Sequence, residues 1–335
     1  MTDDVIAPDP LHVDEIARLA ATVLDRVATV VVDMDQAVEL ALATILAGGH
    51  VLFEDVPGLG KTLAARSLAS ALGLDFRRLQ CTPDLLPADI TGSFVYAPAT
   101  GDFVFRPGPV FTGLFLADEI NRTSPKTQSA LLEAMAEGQV TVEGRSFRLA
   151  APFHVVATSN PIEYEGTYAL PEAQLDRFMV RLAIGYPERA GEAKILLNRV
   201  ERRHEVATVE PVIDTTTLRA MQAGIEEVYV EPDIAGYCVD LAATTRRNGS
   251  IAVGSSPRGS QGLMLLGRAV AVIDGRDFVT PDDVKRVAVP VLAHRLSLTT
   301  QAWADGIRAE DVVTGIVGTV PGPPTVGRVR ATDRR

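Results

Sequence analysis

The chain has 335 residues, of which 47% are hydrophobic and 22% are charged, and this is the composition of a globular protein with one large and one smaller domain. The net charge of −11 disfavours a general role in nucleic-acid binding, because an acidic surface repels a polyanion. No apolar run approaches the roughly 20 residues that a membrane-spanning helix needs, and the acidic start, Met1–Asp4, is unlike a signal peptide. Together with two widely separated cysteines, Cys81 and Cys238, these features predict a cytoplasmic protein.

The first half of the chain alternates between helical and strand patterns. Residues 1–13 carry two prolines and several acids, which predicts a flexible arm. Apolar residues at helical spacing then predict two helices from Asp14, the second of which ends at Gly48 and Gly49. Five short, mostly apolar strand candidates follow, and they are Val51–Glu54, Phe76–Gln80, Leu114–Asp118, Phe153–Ser159 and Arg181–Gly185. Helical segments lie between most of them, which predicts an α/β fold: an αβα domain over residues 14–187 with a five-stranded parallel sheet.

The second half is predicted to be helical. Five helical patterns follow Pro187, and the last begins at Thr280, which is followed by Pro281 and an acid at the third helical position, Asp283. These patterns predict an all-helical domain over residues 188–318. Residues 319–335 contain Pro321–Pro324 and four arginines, and they are predicted to be a disordered basic tail.

Two insertions in the first half have the pattern of β-hairpins. Phe94–Phe105 has turn residues at Pro98–Asp102, and Gln139–Leu149 has them at Glu143–Gly144. Such hairpins either extend the edge of the sheet or contact a partner.

The residues after the first strand are typical of a phosphate-binding loop. The sequence Pro-Gly-Leu-Gly-Lys-Thr runs from a strand into a helix, so that backbone N–H groups and the helix N-terminus can surround phosphates. Lys61 can reach the β- and γ-phosphates, and the hydroxyl of Thr62 can hold Mg²⁺. The predicted nucleotide-binding residues are Pro57, Gly58, Leu59, Gly60, Lys61, Thr62 and Leu63. Asp55 stands where the usual pattern has glycine, and its carboxylate has to point away from the phosphates. The alternative is an ordinary turn between a strand and a helix.

Two acids end the third predicted strand. Asp118 and Glu119 lie at the carboxyl end of a parallel strand, which is the edge of the sheet where the phosphate loop is also expected. Asp118 is suited to hold Mg²⁺. Glu119 is suited to polarise an attacking water. Without the phosphate loop, the pair could equally be solvated acids at a strand end.

Several runs of residues resemble the MoxR family of AAA+ ATPases. The similarity is carried by Asp118–Val140, Ala157–Pro161, Tyr168–Phe178 and Ser256–Arg258, and it extends over residues 14–318. The runs from Asp118 and around Asn160 to Phe178 are specific to this family, whereas many nucleotidases have the phosphate loop.

The resemblance implies roles for further residues. Asn160 resembles the polar sensor that contacts the attacking water or the γ-phosphate. Arg177 resembles the arginine finger that acts on the ATP of a neighbouring subunit, with Arg122 as a second candidate and a surface salt bridge as the ordinary alternative. Arg258 resembles a second sensor, which would close the helical domain over the γ-phosphate of its own subunit.

The resemblance also implies a function. Such a protein hydrolyses ATP with Mg²⁺ as a ring, commonly a hexamer, and remodels or matures a partner protein or complex, often together with a von Willebrand A domain protein. Insertions at the positions of the two hairpins face the channel or the partner in this clade. A nucleic-acid-translocating motor, which the acidic charge disfavours, and a nucleotide-gated binding module with little hydrolysis remain alternatives. A small-molecule kinase or a GTPase could share only the loop, but the chain lacks the Asn-Lys-x-Asp pattern of a GTPase.

Overall fold

The structure is a computed structural model that describes residues 8–161, 167–203 and 207–324. Residues 1–7 of the predicted arm and 325–335 of the predicted tail lie outside the described residues, so these domain boundaries stay predictions. The strands are β1 Val51–Glu54, β2 Phe76–Gln80, β3 Gly92–Ala97, β4 Asp102–Pro107, β5 Leu114–Asp118, β6 Gln139–Val142, β7 Arg145–Arg148, β8 His154–Ser159, β9 Val180–Leu182, β10 Ile251–Val253 and β11 Ser297–Leu298.

The helices follow the same chain order. They are α1 Val13–Ala28, α2 Asp35–Leu46, α3 Lys61–Ala71, α4 Pro87–Thr91, α5 Pro125–Glu137, α6 Glu172–Leu175, α7 Arg189–Arg202, α8 Thr215–Glu226, α9 Pro232–Thr245, α10 Pro257–Ile273, α11 Pro281–Leu292, α12 Thr300–Ala304 and α13 Ala309–Thr319. Two 3₁₀ turns lie at Ile120–Arg122 and Ala293–Arg295.

The five predicted strands form one parallel sheet in the order β2-β5-β8-β1-β9. This confirms the predicted α/β fold. The central strands are buried on both faces, as their continuous apolar sequences require. Because all strands are parallel, the segments that follow β1, β5 and β8 leave the sheet at the same edge.

Alternate residues of the sheet enter two apolar clusters. Val51, Leu116 and Val156 face the first cluster, which also contains buried residues of α1, α2 and α3. Leu52 and Phe115 face the second cluster, which includes α5. The first cluster continues without a break into α8, α10, α11 and α13. The C-terminal helices therefore pack directly on the αβα layers through a shared core.

The C-terminal region is helical, as predicted, with one addition. A short antiparallel ribbon joins β10 to β11, which the sequence did not indicate because each strand has three residues or fewer. The predicted start of α11 is confirmed: Thr280 N donates to Asp283 Oδ2 (2.7 Å), and Asp283 N donates to Thr280 Oγ1. Within the described ranges, no helix is long and apolar enough to cross a membrane.

Both predicted hairpins are present. β3 pairs with β4 and β6 pairs with β7, both antiparallel, and the second turn has positive φ at Glu143 and Gly144. The hairpins contact each other through Phe105 and Phe147, whose rings stack at 3.8 Å between centroids. The two insertions are therefore one packed unit.

Two buried histidines fix the amino ends of neighbouring strands. His50 Nδ1 accepts a hydrogen bond from Val155 N (3.0 Å), and His50 Nε2 donates to Met135 O (3.1 Å). His154 Nδ1 donates to Gly49 O (2.9 Å). Burial lowers the pKa of each ring to about 4, and the neighbouring His154 lowers that of His50 further.

These histidines predict a loss of stability in mild acid. The folded pKa values lie below the ordinary value of 6.5. The unfolded chain therefore binds protons first as the pH falls below 6.5, and each ring removes about 1.4 kcal/mol of unfolding free energy per pH unit. Burial also lowers the pKa of a third ring, His294, well below its ordinary value. We expect denaturant unfolding between pH 6.5 and 5 to show the summed slope of the three rings, and His154→Gln to reduce it by about a third. A flat profile over this range would contradict the assignment.

Candidate active site

The loop after β1 has the conformation of a phosphate cradle. Gly58 and Gly60 have φ of 86° and 87°, values that favour glycine, and α3 begins directly afterwards at Lys61. Lys61 Nζ donates to the carbonyl oxygens of Asp55 and Val56, the latter at 3.1 Å. Burial lowers the pKa of Lys61, whereas the nearby carboxylates, Asp55 foremost, raise it. A buried ammonium beside the free N–H groups of a helix start is suited to bind an anion.

Asp55 points away from the cradle. Its Oδ2 accepts hydrogen bonds from the backbone N–H of Ile184 (2.8 Å) and Gly185 (2.7 Å), and its Oδ1 accepts one from Val56 N (2.8 Å). Burial alone would raise the pKa of Asp55, but these three backbone donors lower it below its ordinary value. The carboxylate thus ties the loop to the segment after β9, and the departure from the usual glycine leaves the cradle open.

Asp118 lies at the end of β5 among donors from three other elements. Thr62 Oγ1 donates to its Oδ2 (3.1 Å), and Thr158 Oγ1 donates to its Oδ1 (2.6 Å). The guanidinium of Arg78, on β2, lies 2.7 Å from the same Oδ2. The predicted pair of Thr62 and Asp118 is therefore in direct contact.

Glu119 has an unusual backbone conformation. Its φ of 60° is uncommon for a residue with a side chain. Its N–H donates to Thr158 Oγ1 (2.8 Å), so that the same hydroxyl orients both acids. Its Oε2 accepts from Gln80 Nε2 (2.7 Å) and lies 3.2 Å from Arg122 Nη1. Because Arg122 is bound to the Glu119 of its own chain, Arg177 is the better candidate for a residue that acts on a neighbour.

A cleft of about 310 Å³ brings most of the predicted residues together. The residues that line it are Pro57, Gly58, Gly60, Lys61, Thr62, Leu63, Arg78, Gln80, Asp118, Glu119, Thr158, Ser159 and Asn160. The convergence follows from the sheet, since β1, β5 and β8 all end here. Leu59 belongs to the loop but does not line the cleft.

Sequence reasoning missed four residues of the cleft, which are Arg78, Gln80, Thr158 and Ser159. Arg78 and Gln80 lie on β2, and Gln80 is opposite Asp118 in the β2–β5 register. Thr158 lies on β8 and contacts both acids. Arg78 and Gln80 alternate with other residues on a short strand, which is the usual pattern of a strand at the edge of a sheet. Only the order of the strands shows that these two side chains face the cleft.

The oxygen ligands of the cleft fit Mg²⁺. Thr62 Oγ1 and Asp118 Oδ2 are hard oxygen donors 3.1 Å apart, and a cationic guanidinium already lies against Asp118. The described ranges contain no group of three or more His, Cys, Asp or Glu side chains that could hold a metal alone.

Arg177 and Arg258 lie away from the cleft. Arg177 precedes β9, and Met179 N donates to His50 O (2.9 Å) at the amino end of β1. Lys61 follows the carboxyl end of β1, and a strand of four residues spans about 13 Å. Nη1 of Arg177 is buried and has no hydrogen-bond partner among the described residues.

The expected position of Arg258 over the phosphates of its own subunit needs correction. Its Nη1 lies 3.7 Å from Asp176 Oδ2, beside Arg177 and at the amino edge of the sheet. The reason is the start of α10, where Ser256 Oγ also donates to Asp176 (3.1 Å) and holds this end of the helix near the turn that carries Arg177.

Comparisons with known proteins agree with this geometry. The model of the ATPase family associated with various cellular activities (AAA) matches residues 50–180, and that of the AAA lid domain matches residues 243–316. The sheet order, the phosphate loop and the acid pair belong to the matched segments. The chain is thus an AAA+ ATPase.

Relatives define the family more narrowly. The chain is 50% identical to YeaC of Bacillus subtilis over 87% of this chain and 91% of that protein. It is 40% identical to the chaperone MoxR1 of Mycobacterium tuberculosis over 88% and 80% of the two chains. The crystal structure of a proposed ATPase from Cytophaga hutchinsonii superposes with a TM-score of 0.86 at 37% identity, and the match covers 92% of this chain and 96% of that one. The chain belongs to the MoxR family of AAA+ ATPases, which confirms the resemblance.

The hydrogen bonds of Asp55 predict a structural role for this residue. Asp55→Ala leaves the N–H groups of Ile184 and Gly185 without their acceptor, and we expect it to lower the unfolding free energy by about 1–3 kcal/mol. Asp55→Asn keeps one acceptor oxygen and should lose less. Asp102→Ala, an exposed acid in a hairpin, serves as the control and should stay within about 0.5 kcal/mol of the parent. Denaturant unfolding measures all three, and an Asp55→Ala variant as stable as the parent would contradict this role.

Proposed function

We propose that the protein hydrolyses ATP with Mg²⁺ in this cleft and uses the reaction to remodel or mature a partner protein. One observation carries the catalytic part: Lys61, Thr62, Asp118, Glu119 and Asn160 converge on a single cleft although they are up to 99 positions apart in the chain. The chaperone function has the support of similarity to MoxR1, which is described as a chaperone.

A second cavity is suited to the base of the nucleotide. It has a volume of about 360 Å³ and lies between the start of α2, the end of β9 and α11. Met34 lines this cavity, and its sulfur lies 3.8 Å from where a Cβ would stand on Gly60 in the phosphate loop. A base in this cavity and phosphates in the cleft are consistent with one bound ATP.

The residues of the cleft have separate roles in the proposed hydrolysis. Lys61 exchanges its carbonyl partners for the β- and γ-phosphates, and the N–H groups at the start of α3 bind the same oxygens. Thr62 and Asp118 hold Mg²⁺, which neutralises phosphate charge when bound. Glu119, oriented through Thr158, accepts a proton from the attacking water, and Asn160 binds that water or the γ-phosphate. Positioning and charge stabilisation supply most of the rate.

Two arginines act across a subunit interface in this proposal. Arg177 lies about one strand length from the cleft of its own chain, and its buried Nη1 has no hydrogen-bond partner among the described residues. Buried polar groups are nearly always satisfied, so this nitrogen needs a partner, and we assign it the γ-phosphate of a neighbour. Because the nitrogen is buried in the single chain, the side chain has to turn outward to reach that phosphate. Arg258 lies beside it and is assigned to the same interface. A ring, in this family commonly a hexamer, brings each Arg177 to the next cleft.

The family resemblance also supports proposals for the partners and the cellular location of the protein. We assign to the protein a protein client and a von Willebrand A domain partner. The two packed hairpins are proposed to contact one of them, because Tyr96 and Phe103 form an exposed aromatic pair there.

Burial raises the pKa of Cys81 and Cys238 to about 12, so both stay as unreactive thiols, and both are unpaired. This supports a cytoplasmic location.

Nucleotide binding and turnover can be separated by two variants. We expect Lys61→Ala to remove measurable ATP binding, because it takes away the buried charge of the cradle. Glu119→Gln should keep ATP binding and lower turnover by about 10²–10⁴-fold, the usual contribution of a general base. Calorimetry and phosphate release to water measure the two effects, with the exposed Lys126→Ala as the control. Unchanged turnover in Glu119→Gln would instead favour a nucleotide-gated binding module.

The trans role of Arg177 predicts complementation between subunits. Arg177→Ala should bind ATP normally and lose at least about 10³-fold in turnover, as other arginine fingers do. Mixing it with Glu119→Gln subunits should restore activity, because the intact Arg177 of one variant then serves the intact Glu119 of the other. Normal turnover of Arg177→Ala alone, or a mixture no more active than its parts, would refute the assignment.

A further inference from the structure

A buried arginine from the helical region donates several hydrogen bonds to the turn that carries Arg177. Arg295 is 3% exposed and lies in the 3₁₀ turn after α11. Its Nε donates to Asp176 Oδ1 (2.9 Å), and its Nη2 donates to Phe178 O (2.7 Å) and to Asp176 O (3.3 Å). Its Nη1 donates to Met179 O (3.2 Å). These acceptors stand on both sides of Arg177, so one guanidinium fixes the backbone that presents the finger.

The hydrogen bonds of Arg295 go to the neighbours of Arg177 and not to the side chain of Arg177. Arg295 bonds the backbone carbonyls and the carboxylate next to Arg177, and Nη1 of Arg177 keeps no partner among the described residues. Phe178, which follows Arg177, is fully buried and anchors the other side of the turn. Such an arrangement fixes the side chain through its backbone and places no bond of Arg295 on the Arg177 guanidinium.

The segment that ends in Arg295 also touches the second cavity. Val289, Pro290 and Ala293 line the cavity assigned above to the base, and Arg295 follows two residues later. The α11 end and the 3₁₀ turn are therefore in contact with the proposed nucleotide of their own subunit and with the finger that serves the next one.

We propose that Arg295 is a positioning residue for Arg177, since it holds the backbone on both sides of that arginine. The proposal rests on the trans role of Arg177 proposed above. The planar guanidinium holds several acceptors at fixed angles, and its burial excludes competing water. A displacement of the finger by about 1 Å is enough to lower the rate by about 10²-fold.

The test uses the full chain and a matched control. Arg295→Met removes the donors and keeps an apolar stem. Arg286→Met is the control. It breaks the ion pair of Arg286 with Glu39 (2.6 Å), which also joins the helical region to the αβα layers, and it leaves the Arg177 turn intact. Thermal unfolding and size-exclusion chromatography first compare fold and assembly. Kd for ATP, KM and kcat are then measured alone and after mixing with Glu119→Gln subunits.

We expect Arg295→Met to keep Kd and KM and to lose about 10²-fold in kcat. Mixing with Glu119→Gln should restore activity, as it does for Arg177→Ala, whereas Arg286→Met should keep the parental kcat. If Arg295→Met does not fold, Arg295→Lys keeps the charge but not the planar fork, and it should show the same kcat defect in milder form, again restored by mixing.

Parental kcat in Arg295→Met, or in Arg295→Lys where that replaces it, would overturn the proposal. A kcat defect that mixing does not restore, while the defect of Arg177→Ala is restored, would overturn it as well, because the residue would then act on its own site. Normal turnover in Arg177→Ala would instead refute the finger itself, so the two failures are distinguishable.

Discussion

The position of β8 between β1 and β5 is the constraint on which the site depends. In a parallel sheet all carboxyl ends meet at one edge, and this strand order puts Asn160 between the phosphate loop and the acids. Thr158, at the end of β8, then donates to Asp118 and accepts from the N–H of Glu119. One hydroxyl thus sets the direction of the acid proposed to bind Mg²⁺ and of the proposed base. The backbone strain at Glu119 is held by this contact.

The same parallel arrangement separates two kinds of charged residue. Residues that follow strands gather at the cleft, whereas Arg177 precedes β9 and lies at the amino edge with Arg258 and Arg295. A chain built this way has the cradle and the finger at opposite ends of its sheet. Under the proposed trans role of Arg177, the reactive groups are complete only where two copies meet, and the arginine side of each copy is attached to its helical region.

The sequence predicted most of the fold and the centre of the site. The central strands were recognisable because they are short, apolar and buried on both faces. Lys61, Thr62, Asp118 and Glu119 lie at their carboxyl ends or shortly after them. Contacts between strands were not predictable, because they depend on register: Arg78 and Gln80 have the pattern of an ordinary edge strand. The orientation of the Asp55 carboxylate depends on the N–H groups of Ile184 and Gly185, about 130 residues later.

The helical region was harder to anticipate. Its helices were recognisable from their spacing, but the apolar cluster that joins them to α1, α2 and α3 fixes where the start of α10 lies. Arg258 consequently lies beside Asp176, and no local pattern around Ser256–Arg258 contains that information. The buried Arg295 was missed for the same reason, since an arginine after a helix is ordinarily solvated.

The central claim is that the loop ending at Lys61 and the acids of β5 bind one magnesium triphosphate. The most direct measurement is an experimental structure of the Glu119→Gln variant with ATP and Mg²⁺ at saturating concentration. The account predicts phosphate oxygens within hydrogen-bonding distance of Lys61 Nζ, and a metal ion between Thr62 and Asp118 with the guanidinium of Arg78 moved aside. Phosphates bound elsewhere, or an empty cleft under these conditions, would contradict it.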